Sequence, residues 1–385
     1  MAIIDPLLAL TAGLRTQRRA MVSMLDVLVS SESPSDDAAL VGATADLVAD
    51  LGERLLGVPA LRITTSGSPA LRWDLPAVRC EAGPVVLLAH LDTVWPAGTL
   101  ARWPFSVTGD HATGPGAFDM KAGLVQAFFA LAALIRADLP HPSVVLLVTA
   151  DEEIGSPGGR HVVEASAEGA SAVLVLEASA DGALKVARKG VGHYRLHVTG
   201  RAAHAGLEPE KGVNALVAAA HLALALEGIA DPGAGTTVTP TLLTAGGAQN
   251  TVPASAVLGI DVRAATVAEQ DRVDHALRHL CPSTGATLRV DGGINRPPLE
   301  ERAASGLFTL AQRAAGRCGL RPLSSARVGG GSDGNFTAAL GVPTLDGLGA
   351  VGAGAHAEGE HVVTTAMPQR AALLAALIVE LSRRS

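Results

Sequence analysis

Pro84-Val85-Val86-Leu87-Leu88-Ala89-His90-Leu91-Asp92 decides the fold. An uncharged apolar run this short, opened by proline and closed by a histidine and an aspartate, reads as a strand buried on both faces. Two runs like it follow. Residues 144–149 lead into Asp151-Glu152-Glu153, and residues 172–176 lead into Glu177. The segments between them, 121–137 and 158–167, have helical patterning. Strand alternating with helix predicts an α/β domain, a mostly parallel sheet between helices.

Working outward, residues 7–29 read as one amphipathic helix. A turn at Ser33-Pro34-Ser35-Asp36-Asp37 precedes a second helix over 38–56. Beyond Lys185 the character changes. Residues 194–199 alternate as a half-buried antiparallel strand does, and a helix is expected over 213–227. Strands at 237–244 and 256–263, a helix at 267–280 and a strand at 287–290 complete a ferredoxin-like β-α-β-β-α-β order. The chain then returns to helix, a Gly-rich turn and a closing helix over 368–383. The expected organisation is a first part of the larger domain at 1–187, an inserted domain at 188–297, and the remainder at 298–385.

The whole chain supports that division, since 385 residues exceed what one core usually serves. Apolar residues make up 48% and charged residues 17%, a globular composition. A net charge of -7 with no basic run argues against a nucleic-acid binder. Three scattered cysteines (Cys80, Cys281, Cys318) form neither a disulfide framework nor a thiolate metal site. No signal-peptide pattern is evident, and no apolar run reads as the roughly 20 residues of a membrane span. The expectation is a cytoplasmic protein without a membrane partner.

The chemistry-bearing residues cluster at strand ends and Gly-rich turns. His90 and Asp92 fall on one side of an extended chain, so Asp92 is placed to accept the spare imidazole N–H. Asp119, in Gly116-Ala117-Phe118-Asp119-Met120-Lys121, reads alone as a helix N-cap. Asp151-Glu152-Glu153 reads alone as a solvated loop. With a divalent cation, one glutamate becomes a ligand and its neighbour a general base. Glu177 ends a strand, and His356 sits in a Gly-rich stretch where His361 competes with it. Together, His90, Asp119, Glu153, Glu177 and His356 supply imidazole and carboxylate donors for two ions sharing one carboxylate. Zinc suits that set, and cobalt or manganese is also accepted.

The ordered series His90-Leu-Asp92, Asp119-Met-Lys121, Asp151-Glu152-Glu153, Glu177 and His356 resembles the di-zinc metallopeptidase family. That family includes glutamate carboxypeptidase, aminoacylase, acetylornithine deacetylase and succinyl-diaminopimelate desuccinylase. The resemblance spans nearly the whole chain and is nearest the glutamate carboxypeptidase branch. It implies a zinc-peptidase catalytic domain carrying an inserted dimerisation domain, marked here by Gly200-Arg-Ala-Ala-His204-Ala-Gly206. It implies that Asp119 bridges two Zn2+ ions. His90 and Glu177 would complete one site, and Glu153 and His356 the other. Glu152 would be the general base, with Asp92 orienting His90. His204 would reach the partner subunit's active site, making the enzyme a homodimer. Lys185, Asn250, Arg263, Arg296 and Gly331 fall where the substrate's carboxylates would be held. The implied reaction is hydrolysis of the amide bond to the C-terminal amino acid of a small peptide or N-acyl amino acid. An N-acyl-amino-acid deacylase with a non-glutamate substrate is the alternative within the family.

A serine hydrolase is the rival from another class. Gly330-Gly331-Ser332-Asp333-Gly334 fits Gly-x-Ser-x-Gly, and Asp346 and His356 follow in α/β-hydrolase order. The segment before Ser332 is short and polar for a buried nucleophile strand. That reading also leaves the ordered acidic set unused. A non-catalytic binding protein would be expected to lack Glu152 or one of the ligands, and none is missing.

Overall fold

The computed structural model describes residues 5–282 and 285–383. Two compact units emerge. One comprises the residues up to 187, with 301–327 and those from 332 onward; the other comprises 188–300 with 328–331.

The first unit is built on a six-stranded sheet ordered Leu61–Thr64, Pro69–Leu75, Val144–Thr149, Val85–His90, Ala172–Val175, Thr344–Leu345. The last four strands run parallel, and the first two join antiparallel. Every residue of Val85–His90 and of Val144–Thr149 is buried, the condition for strands covered on both faces. Val86, Leu88, Val145 and Leu147 turn to one face and meet Val162, Val163 and Phe336. On the other face Trp73 meets Phe128 of helix Ala122–Ala137 edge-on, ring centroids 5.4 Å apart.

Parallel pairing puts the carboxyl ends of these strands on one edge. His90 pairs with Thr149, so the chain leaving each strand emerges beside the other. A crevice at the carboxyl ends of parallel strands is where α/β sheets hold their ligands. A second sheet of Ser106–Thr108, His111–Thr113, His361–Val363 and Gly352–Ala353 carries His356 in the connection between its last two strands.

The second unit folds as Gly190–Thr199, helix Ala215–Ala225, Thr237–Ala245, Ser255–Ala264, helix Val267–Arg278 and Thr287–Arg296. Its antiparallel sheet is ordered with the third of these strands inside the second and the first inside the fourth. Leu196, Val198, Leu258 and Ile260 pack with Ala218, Leu222, Val273 and Leu277 of the two helices.

Three expectations change. The helix over 7–29 is two helices, Pro6–Thr16 and Arg18–Val29. The break falls in Arg15-Thr16-Gln17-Arg18-Arg19, which has no apolar side chain to anchor a continuous axis. The strand expected at 287–290 continues to Arg296. Gly292, at φ 86°, keeps its pairing with Tyr194, so the strand runs on past the two glycines. Ala117–Ala137 is long and apolar enough by composition to cross a membrane, but 83% of that window is buried. It is a core helix.

Candidate metal centre and active site

Two triads of potential ligands stand at the carboxyl edge of the parallel strands. His90, Asp119 and Glu177 form one; Asp119, Glu153 and His356 form the other. Within each triad the donor atoms lie within 4.8 Å of one another. Asp119 belongs to both. Its Oδ1 faces His90 Nε2 at 3.6 Å, and its Oδ2 faces His356 Nε2 at 3.3 Å. His90 Nε2 is also 3.3 Å from Glu177 Oε1, and His356 Nε2 is 3.2 Å from Glu153 Oε2.

These separations match a metal's needs. Ligands about 2.0–2.1 Å from a tetrahedral ion stand about 3.3 Å from each other. His90 Nε2 is buried and makes no hydrogen bond. Its Nδ1 is 3.0 Å from the Asp92 main-chain carbonyl and 3.4 Å from the Asp92 carboxylate. Both partners can only accept, so Nδ1 donates. In the neutral ring Nε2 then holds the lone pair, aimed between Asp119 and Glu177. The donor set fits a pair of divalent ions.

The electrostatics agree. Burial opposes charge on His90, but the Asp119, Asp92 and Glu177 carboxylates outweigh it and hold the imidazole well above its usual range. Asp119 and Glu153 push His356 up to about 10. Burial disfavours charge on Asp119, yet the two imidazoles hold its carboxyl below the usual range. Burial raises Glu153. Without a metal, the imidazoles are the cations of the cluster.

Asp92 does more than face His90. Its carboxylate accepts the backbone N–H of Glu152 at 3.2 Å and of Glu153 at 3.1 Å, and the Ser35 hydroxyl at 2.7 Å. One buried carboxylate thus ties the strand end to the acidic turn. That turn is a single 3-10 turn, Glu152–Ile154, closed by Gly155 at φ 92°. Asp333 closes the same loop from outside, accepting the Thr149 hydroxyl at 3.2 Å and bonding the Ser156 hydroxyl.

Asp119 is not a helix N-cap. It lies in a wide turn, Ala117–Lys121, with extended backbone (φ -115°, ψ 96°), one turn ahead of helix Ala122–Ala137. What holds it is Glu360, which the sequence did not single out. The fully buried Glu360 carboxylate accepts the backbone N–H of Phe118 at 2.7 Å, Asp119 at 3.0 Å and Gly116 at 3.2 Å. It also accepts the Trp95 indole N–H at 3.0 Å. Its only sequence signal is an acid amid glycines beside His356.

The other candidates fall in different places. Lys185 Nζ is 3.9 Å from Glu177 Oε2, beside the first triad. The remaining five belong to the second unit. His204, on a loop, has Nδ1 accepting the backbone N–H of Gly206 and Leu207, each at 3.1 Å. The Asn250 carbonyl accepts the Ala205 N–H at 2.8 Å on the neighbouring loop. Arg263 directs two nitrogens at Asp261, at 2.8 and 2.9 Å. Arg296 is buried, and its carbonyl accepts from Gln270 at 2.9 Å. The Gly331 carbonyl, also in that unit, accepts from Arg188 at 3.1 Å.

The serine triad is not assembled. The buried Ser332 hydroxyl donates to Asp346 at 2.6 Å, while His356 faces Asp119 and Glu153. Without an imidazole to take its proton, Ser332 is not an activated nucleophile.

Residues 86–380 match the family described as peptidase family M20/M25/M40. Over 379 residues the chain is 31% identical to carboxypeptidase G2 of Pseudomonas sp. (strain RS-16), covering 95% of this chain and 90% of that protein. Among solved structures it is similar to the aminopeptidase PepT of Bacillus cereus. The TM-score there is 0.79 at 24% identity, over 94% of this chain and 98% of that one. It is also similar to the YXEP protein of Bacillus subtilis, a dinuclear metal binding peptidase of the M20 family. That match has a TM-score of 0.65 at 17% identity, over 94% of this chain and 98% of that one.

Proposed function

The chain belongs to peptidase family M20/M25/M40 and is a hydrolase of the metallopeptidase class; from that premise we propose that it releases the C-terminal amino acid from a small peptide or N-acyl amino acid, as a glutamate carboxypeptidase does. The observation that carries the reading is the pair of ligand triads sharing Asp119. Similarity to carboxypeptidase G2 over nearly the full length favours the carboxypeptidase direction.

His90, Asp119 and Glu177 would hold one ion, and Asp119, Glu153 and His356 the other. Zinc is the first choice for these donors. When bound, such ions supply Lewis acidity toward a water molecule and the scissile carbonyl.

The protein's own groups do the rest. Glu152 takes a proton from the attacking water and delivers it to the leaving nitrogen. Asp92 holds the Glu152–Ile154 turn against the His90 strand end, so base and ligands keep one register. His204 accepts two backbone N–H groups at Nδ1, so in its neutral form Nε2 carries the proton. That proton is donated to the developing oxyanion in the partner subunit of a homodimer. Lys185, beside Glu177, is the first-ranked cation for the substrate carboxylate; Asn250, Arg296 and Gly331 remain contacts to test. Arg263 ranks below them because its guanidinium is engaged with Asp261.

A panel of N-acyl amino acids and dipeptides, varied at the C-terminal residue, tests the reading. Chelator-sensitive release confined to glutamate or aspartate supports it. Release of apolar or basic residues replaces the glutamate assignment with the deacylase alternative, and no release from any member overturns both.

A further inference from the structure

We propose that a cavity of about 730 Å³ in the first unit, lined by none of the candidate ligands, binds a small doubly charged oxyanion through Arg15, Arg321 and Arg370. Asp181 is the only acid lining it, against three guanidinium groups; Ser324 and Gln369 add neutral hydrogen-bonding groups. Elsewhere arginines typically face a carboxylate, as Arg18 does Asp110, Arg72 does Asp74 and Arg317 does Asp5. Among the described residues, none of the three cavity arginines makes an ion pair.

Arg370 is the informative member. It is 6% exposed, and burial alone lowers its pKa to about 10. Its nitrogens donate to the carbonyls of Gly349 at 2.9 Å, Gly182 at 3.3 Å and Gly347. Those carbonyls satisfy hydrogen bonds without neutralising the charge. A buried cation is ordinarily matched by an anion. Arg15 and Arg321 are exposed residues of the same lining, and planar guanidinium forks suit phosphate or carboxylate oxygens. The site also borders the machinery. Gly349, whose carbonyl Arg370 holds, donates its N–H to the Glu177 carbonyl at 2.9 Å.

The test is calorimetric titration of the metal-loaded enzyme with inorganic phosphate and, separately, with succinate, at constant ionic strength set by sodium chloride. Replacing Arg370 would disturb three carbonyls, so the variant is Arg15→Ala with Arg321→Ala, which leaves both ligand triads intact. We expect saturable binding of one or both anions, weakened about tenfold or more in the double variant, with turnover in the absence of anion unchanged. Phosphate alone identifies a tetrahedral oxyanion site, and succinate alone a dicarboxylate site. Equal affinity in wild type and variant, or no binding of either anion, overturns the proposal.

Discussion

The carboxylate of Asp92 accepts the backbone N–H of Glu153 at 3.1 Å, although 61 residues separate them. The His90 strand end and the turn bearing Glu152 and Glu153 are therefore held by one buried group. Replacing Asp92 with alanine strands the N–H groups of Glu152 and Glu153 and leaves His90 Nδ1 with the main-chain carbonyl of residue 92 but no carboxylate. Loss of such a partner is expected to cost about 10–100-fold in metal affinity or activity. Equilibrium metal competition alongside kcat measures both; a variant unchanged in each removes Asp92 from this role.

Glu152→Gln separates base from ligand. The substitution keeps the shape of the turn and should leave metal content at the wild-type level. Turnover should fall by about 10²–10⁴-fold, the usual contribution of a general base. Metal analysis with steady-state kinetics on one preparation decides this, and near-wild-type turnover excludes Glu152 as the base.

Glu360→Ala removes the acceptor of four donors, two buried and two partly buried, including the Asp119 N–H. Leaving them unsatisfied should cost at least about 2–4 kcal/mol of stability and weaken metal binding by misplacing Asp119. Trp95 loses its hydrogen bond, so its fluorescence should report the change. Glu360→Gln, with one acceptor oxygen left, should be intermediate; a variant as stable as wild type contradicts the role.

Metal uptake should release protons. The metal-free imidazoles of His90 and His356 lie above their ordinary range, His356 at about 10, so both are charged at neutral pH. Metal binding must displace about two protons per chain at pH 7, and affinity should rise with pH. The sign for the metal-free fold is opposite. A folded pKa above the unfolded value of about 6.5 gives stability fully present below that pH. The contribution is lost as pH rises through about 10. Calorimetry in buffers of different ionisation enthalpy counts the protons. Thermal unfolding of chelated wild type and His356→Ala across pH 6–10 measures the His356 share of the stability term, which should be lost in the variant while the His90 share remains.

Much of the candidate centre could be read in the sequence because parallel strands impose order. His90, Glu153 and Glu177 each follow a buried apolar run, and parallel pairing gathers such ends on one edge. Asp119 taken alone suggests a helix N-cap, because apolar patterning continues through Met120 into the Ala122–Ala137 helix; only its place in the ordered ligand series points to the shared ligand position it takes in the two triads. Glu360 went unseen because its partners lie some 240 residues away, and a carboxylate capping a distant loop leaves no periodic trace. The small sheet containing His111–Thr113 and His361–Val363 was missed for a related reason: its strands have only two or three residues. The split at Gln17 shows the limit of reading an apolar stripe as one axis, since both helices bury the same kind of face.

Two ions, held by the triads that share Asp119, are proposed to be needed for amide hydrolysis. Chelated protein should be titrated with zinc while glutamate release from an N-acyl-glutamate is followed. No release is expected without metal, and with zinc release should rise and level at about two equivalents per chain. In Asp119→Ala no amount of zinc should restore it. Release from the chelated protein, or full activity in Asp119→Ala, would contradict it.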